Sequence, residues 1–165
     1  ELPEDRSQEI LRMMEKDEAE DVRKLLTYPV ESAGGIMNTE YVTVPVTFTA
    51  SQVITLLRKL APEAETVYYI YVTDAENHLK GVFSLRELVI AQASAPVTKF
   101  MEDRVVTVTL KESQDEVAKA IAKYNLLAVP VVDDDDCIHG IVTADDALDK
   151  IIPTAWKKRL PKFYH

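Results

Sequence analysis

The chain reads as an α/β (α+β) protein made of two tandem β-α-β-β-α units preceded by short helices. Three observations predict this. The first is an internal repeat. "IMNTEYVTV" at 36–44 aligns with "FMEDRVVTV" at 100–108, "SQVITLL" at 51–57 with "SQDEVAKA" at 113–120, and "YVTDAENHLKGVFS" at 71–84 with "PVVDDDDCIHGIVT" at 130–143. Order is kept while the offset falls from 64 to 62 to 59, so the second copy is shorter in its turns. Ordered repetition of this kind marks a supersecondary unit used twice. The second observation is that each copy switches between extended segments and helical periodicity. The third is that the strands are continuously apolar, the pattern of a sheet covered by helices. Neither unit is large, so the two should pack together.

Ahead of the repeats, Ile10, Leu11 and Met14 form one apolar helical face, and Val22, Leu25 and Leu26 another. Pro29 and the Gly34–Gly35 pair read as breakers that end these helices. Each unit then opens on a short extended segment, "YVTV" or "VVTV". A helix follows, with Val53, Leu56, Leu57 and Leu60, or Val117, Ala120, Ile121 and Tyr124, on one face. Ser51 and Ser113 lie near the expected helix starts. Next come an apolar strand ("VYYIYV" or "LLAVPVV"), a polar turn, a strand ending "GVFS" or "GIVT", and a last helix carrying "LRELVIA" or "ADDALDKII".

Composition narrows the function. With 165 residues and 47% hydrophobic content, the chain can bury real cores. Its longest apolar run, Leu126 to Val132, is far short of the roughly 18 residues needed to span a bilayer. The start "ELPEDRSQE" lacks a signal-peptide pattern. The single cysteine, Cys137, cannot form an internal disulfide, as expected in a reducing cytosol. Residues 153–165 carry Lys157, Lys158, Arg159 and Lys162 without an acid, leaving −13 for the rest of a chain whose total is −9. An acidic body argues against nucleic acid as a partner and suits divalent cations or basic partners. No catalytic arrangement stands out, so a non-enzymatic role is expected. Cys137 and His139 share a strand face without a third partner, and His78 and His139 read as fold positions beside the strand glycines.

These residues carry a resemblance. "M-x-x-x-x-V-T-V", "VPVVD" and "GIVTADDAL" resemble a pair of cystathionine-β-synthase (CBS) domains, a Bateman module. "YPVESAGGIMNTEYVTV" with "APEAETVYYIYVTDAENHLKGVFSLREL" resembles the cytosolic region of MgtE-type magnesium transporters. The resemblance implies that 1–31 are the C-terminal helices of a helical N domain, 32–93 CBS domain 1, 94–152 CBS domain 2, and 153–165 a basic linker or tail. It also implies a homodimer through the CBS domains at the cytosolic face of a membrane. Such a module senses Mg2+ between acidic surfaces and gates a transmembrane pore, in cis or on a partner transporter. Two rival readings remain: a soluble adenosine-nucleotide sensor, and a protein-interaction module without a pore.

Candidate sites follow, each with a plainer alternative. Asp133, Asp134, Asp135 and Asp136 fill the turn between the two strands of the second repeat. A polar hairpin accounts for one aspartate, since the first copy has "DAENH" there. The excess charge is the candidate for Mg2+, which keeps its waters and binds through one or two carboxylates. Glu18 and Asp21, within the acidic run 15–21, are the natural facing surface, although acids also favour helix N-termini. Thr143 and Asp146 resemble the CBS nucleotide motif, with hydroxyl toward phosphate, carboxylate toward ribose, and ATP the leading ligand. The alternative is a capping pair at a helix start. Ser84 and Glu87 in the first copy make a full capping box by residue type, and the longer Glu87 argues against a ribose contact. The tail, with Trp156, Phe163 and Tyr164 among its basic residues, suits a membrane surface, a docking arm or a dimer contact.

Overall fold

A computed structural model describes residues 27–60 and 67–151. Glu18, Asp21, the N-terminal apolar faces and the basic tail lie outside the described residues. The order is α1 (Ala33–Ile36), β1 (Val42–Pro45), α2 (Ala50–Leu60), β2 (Tyr69–Thr73), β3 (Leu79–Ser84) and α3 (Leu85–Ile90). A 3-10 turn at Val97–Lys99 leads to β4 (Val108–Thr109), α4 (Gln114–Tyr124), β5 (Ala128–Val132), β6 (Ile138–Thr143) and α5 (Ala144–Ile151). The predicted β-α-β-β-α unit is therefore present twice. Each forms a three-stranded sheet, ordered β1-β2-β3 or β4-β5-β6. In both, the first strand runs parallel to the second and the second antiparallel to the third. The repeat extends to detail: a register shift falls between Val72 and Thr73 in one unit and between Val131 and Val132 in the other.

Each unit has its own core. Val44, Val53, Ile70, Val72 and Phe83 close the first, and Val117, Ile121, Val129, Val131 and Val142 the second. A third cluster lies between the sheets, where Tyr71 meets Ala128, Ile138 and Ile141. Helix starts follow local hydrogen bonding. Ser113 caps α4 and Ser84 caps α3, each in a reciprocal box with the glutamate three residues on. Ser51 does not cap α2. The helix begins at Ala50, and Thr49 with Gln52 takes that role, because the Thr49 N–H donates to Gln52 Oε1 at 2.9 Å.

The Gly34–Gly35 pair departs from expectation. It lies inside α1 rather than breaking a helix, and neither glycine has positive φ. Close approach explains the residues: a Cβ on Gly34 would lie 2.6 Å from the Tyr28 ring, and one on Gly35 would collide with the Pro29 carbonyl. The segment docks on the second unit, where Ala33 and Gly34 donate to the carbonyls of Glu112 and Leu110.

The segments leading into the two units cross over. Asn38, ahead of β1, exchanges two backbone hydrogen bonds with Ile141 of the second sheet at 2.7 and 2.9 Å. Glu102, ahead of β4, makes the same exchange with Val82 of the first sheet at 2.8 and 3.0 Å. Met37 packs on Gly140 and Met101 on Gly81. Each unit thus supplies a short edge pairing to the other's sheet, which locks the two together.

Candidate functional site

The two strand–turn–strand turns, 74–78 and 133–137, meet. His78 and Cys137 form an antiparallel bridge. On its two sides the Leu79 N–H donates to the Asp136 carbonyl at 2.9 Å, and the Ile138 N–H to the Asn77 carbonyl at 3.3 Å. Asn77 and Asp136 occupy the same place in their turns, with φ of 68° and 61°. Asparagine and aspartate are the side chains that tolerate this left-handed conformation best. The pairing brings Asp74 and Glu76 of the first unit beside Asp133 to Asp136 of the second.

The first carboxylate of each turn is committed to the fold. Asp133 Oδ1 accepts from the backbone of Asp135 and Cys137 at 2.9 and 3.0 Å, and its Oδ2 binds His139 Nε2 at 2.7 Å. Asp74 Oδ1 accepts from Glu76 and His78 backbone at 3.1 and 2.9 Å, while its Oδ2 binds His78 Nδ1 at 2.9 Å and Lys80 Nζ at 3.3 Å. These are Asx turns, the local hydrogen bonding aspartate offers its own backbone. Partial desolvation pushes the Asp74 carboxyl up, but the hydrogen bonds from His78 and Lys80 outweigh it and hold the group down at about 2. The His139 hydrogen bond lowers Asp133 in the same way. Both histidines therefore do fold work, through aspartates rather than through the strand glycines.

Asp134, Asp135 and Asp136 are exposed, and their carboxylates take no part in this bonding. The field of Asp135 and Asp136 is felt at Cys137. Desolvation first, then Asp133, Asp135, Asp74 and Asp136, push its thiol up, so carboxylates of both units converge there. Among the described residues, Asp74, Glu76 and His78 also offer ligand atoms within 4.8 Å of one another. Residue type gives no reason to pair Asp74 and Glu76 with the second turn, and the repeat alignment is the one signal for it, because equivalent turns in a two-fold pair can meet.

Asp136→Asn is expected to stabilise the chain. Asn77 Nδ2 donates to the Ile138 carbonyl at 3.0 Å, a bond its counterpart Asp136 cannot make. An amide at 136 supplies the symmetric bond to Leu79 and removes one like charge. The gain should be about 0.5–1 kcal/mol, read as a higher urea midpoint with unchanged slope; a lower midpoint would refute the two-fold reading of the turns.

Thr143 and Asp146 form a local cap. The Thr143 hydroxyl donates to Asp146 Oδ2 at 2.8 Å and accepts from the Asp146 N–H at 3.3 Å. Neither lines the cavity that opens between the two sheets. That cavity, of about 250 Å3, is bounded by Tyr69, Tyr71 and Val82 of the first unit, by Ala128 and Pro130 of β5, and by Leu126 and Tyr124 before it. Glu102, Arg104, Val105 and Val106 of the crossing segment complete it. Tyr124, expected on the buried face of α4, is 49% exposed and serves the cavity instead. Tyr69 is fixed there, since its hydroxyl accepts from the Leu127 N–H at 3.3 Å. An apolar wall with a few convergent polar groups is the usual form of a small-molecule site.

Two tandem units that exchange lead-in segments, with a cavity between facing sheets, define a CBS-domain pair. The CBS-domain family model matches residues 33–94 and 97–153, and the chain belongs to that family. It is homologous to the MgtE magnesium transporters: 43% identical to that of Enterococcus faecalis over 82% of this chain and 30% of the relative, and 45% identical to that of Thermus thermophilus over 78% and 29%. The chain thus spans about a third or less of those relatives' length. Its fold matches the crystal structure of the cytosolic domain of the Mg2+ channel MgtE in complex with ATP, with TM-score 0.84 and 41% identity over 87% of this chain and 58% of that one. No helix among the described residues is long and apolar enough to cross a membrane.

Proposed function

We propose that the chain is the regulatory, non-enzymatic module of an MgtE-type magnesium transporter, acting at the cytosolic face of the membrane. It senses Mg2+ at the acidic edge where the two turns meet, binds a nucleotide, ATP first, in the cavity between the sheets, and passes both signals to a pore in cis or on a partner transporter. The convergence of carboxylates from both units carries the reading. Like charges held together cost energy that a divalent ion between them relieves. Asp134, Asp135 and Asp136, with Glu76 from the other turn, are the ligands this arrangement favours, through water. Asp133 and Asp74 hold the turns in shape. Glu18 and Asp21 remain the proposed facing surface of the N domain.

The exposed apolar face of α3, with Val89 at 80% and Ile90 at 71% exposure, supports a homodimer through the CBS domains. Differential affinity for a compact over an open dimer then makes the switch. The cavity is the proposed ATP site, and Thr143 and Asp146, which hydrogen-bond each other at the start of α5, remain the proposed contacts for its phosphate and ribose.

Thermal melts in MgCl2 test the Mg2+ site. With a dissociation constant on the order of 1 mM, about 10 mM Mg2+ adds roughly 1.4 kcal/mol, a rise of about 3–6 °C for a domain of this size. The Asp134→Asn/Asp135→Asn double variant should melt at least as high as the parent without Mg2+ and lose most of that rise. An equal rise in NaCl at matched ionic strength, or an undiminished rise in the double variant, would rule the site out.

A further inference from the structure

The first turn carries metal-donor side chains at alternate positions, Asp74, Glu76 and His78. One ligand atom from each lies within 4.8 Å of the other two, and no other group of three converges in this way among the described residues. His78 Nδ1 is 2.9 Å from Asp74 Oδ2. The Glu76 carboxylate is exposed and has no hydrogen bond or ion pair among the described residues. The backbone beneath the three is fixed. Asp74 Oδ1 closes the turn on the N–H groups of Glu76 and His78, Asn77 holds a φ of 68°, and Leu79 and Ile138 tie the turn to its counterpart. Asp74 Oδ2 is not used by the turn's backbone. An aspartate–histidine pair by itself needs no ion, since Asp133 and His139 make one in the second unit. What the first turn adds is the third donor, unspent and facing the pair. Its equivalents in the second turn, Asp135 and Cys137, form no such group with Asp133.

We propose that this turn is a binding site for a transition-metal dication of the Zn2+ class, held by His78 Nδ1, Asp74 Oδ2 and one Glu76 carboxylate oxygen, with water completing the shell. The donor set decides the class. Mg2+ takes oxygen ligands, whereas an imidazole nitrogen suits Zn2+ and its neighbours. Two carboxylates and a neutral imidazole also balance a charge of two. The imidazole binds as the tautomer protonated on Nε2, which frees the Nδ1 lone pair. Ligand atoms on one tetrahedral Zn2+ lie roughly 3.4 Å apart, so the His78–Asp74 pair opens slightly and the exposed Glu76 side chain turns in. One group opposes the ion: Lys80 Nζ lies 3.3 Å from Asp74 Oδ2. Its side chain is 48% exposed on a flexible stem, so it can swing into solvent. The site stands apart from the Mg2+ reading, with which it shares Glu76 alone.

Calorimetric titration of the chain with ZnCl2 tests the site. His78→Gln and Glu76→Gln should each weaken Zn2+ binding more than about tenfold, the loss that even outer partners of a metal ligand cause. Glu76→Gln removes a side chain without a partner, so its folding is not in question. Lys80→Gln should tighten binding by about twofold to fivefold, the worth of an exposed ion pair. His139→Gln and His165→Gln, at the two remaining histidines, should leave the affinity unchanged. The Asp134→Asn/Asp135→Asn variant should still bind Zn2+, even where it loses its response to Mg2+. A parent chain that binds no Zn2+ would overturn the proposal. So would undiminished binding in Glu76→Gln, or an equal loss in His139→Gln, His165→Gln or the double aspartate variant, each of which would place an adventitious ion elsewhere. Unchanged or weaker binding in Lys80→Gln would take the ion away from Asp74 and overturn it too. Zn2+ binding in a chain whose melting temperature ignores Mg2+ would support this site while removing the Mg2+ reading.

Discussion

Phe83→Ala is expected to cost about 3–5 kcal/mol of stability, the range for deleting a buried aromatic ring. In a domain of this size that lowers the melting temperature by roughly 6–20 °C. Phe83 is 1% exposed, pairs with Ile70 across β2 and β3, and meets the Phe100 ring edge-on at 5.0 Å. Phe100 belongs to the segment that crosses from the first unit to the second, so the cavity left behind would loosen that crossing as well as the first core. Urea unfolding checks it. A loss under about 1 kcal/mol would mean that the core collapses onto the void, contrary to the dense packing found in protein interiors.

Gly140→Ala is expected to cost about 1–3 kcal/mol, and more than Gly81→Ala. The two glycines are equivalent in the repeat, yet their surroundings differ. A Cβ at 140 would lie 2.8 Å from Met37 Cγ and Sδ and 2.9 Å from the Asn38 carbonyl oxygen. At 81 the close neighbours are the Met101 side-chain atoms, while the nearest backbone atom, the Glu102 oxygen, is 3.2 Å away. Methionine can move aside, whereas the Asn38 backbone, whose N–H and carbonyl each make one strand-like hydrogen bond with Ile141, cannot. Parallel melts of the two variants decide the order. Equal cost, or the reverse order, would show that the lead-in segments yield more freely than their hydrogen bonding implies.

Much of this architecture is legible in the chain because its signals are local. Apolar periodicity marks both α2 and α4, and the capping boxes at Ser84 and Ser113 need only the glutamate three residues later. Asp133 is legible too, since an Asx turn is closed within five residues. Short sequence separation does not make every signal legible, because several residue types fit the same local position. Gly34 and Gly35 look like breakers until Tyr28 and Pro29 are seen lying against them. Ser51 looks like a cap until Thr49 and Gln52 are found bonded. Tyr124 fits the apolar stripe of α4, yet it is half exposed and lines the cavity.

The same division runs through the candidate site. Residue order is enough to establish that two similar units exist, that each carries a polar turn, and that the second turn holds more carboxylates than a turn requires. Spacing and residue type suffice for that, because strands, caps and Asx turns are set by neighbours within a few residues. That the lead-ins cross between sheets, that the two acidic turns pair through His78 and Cys137, and that a cavity opens between the units is settled in three dimensions alone. Those features depend on surfaces some 60 residues apart in sequence meeting about a two-fold axis. Charge repulsion, burial and shape act there through distance in space, which no local pattern of residues encodes.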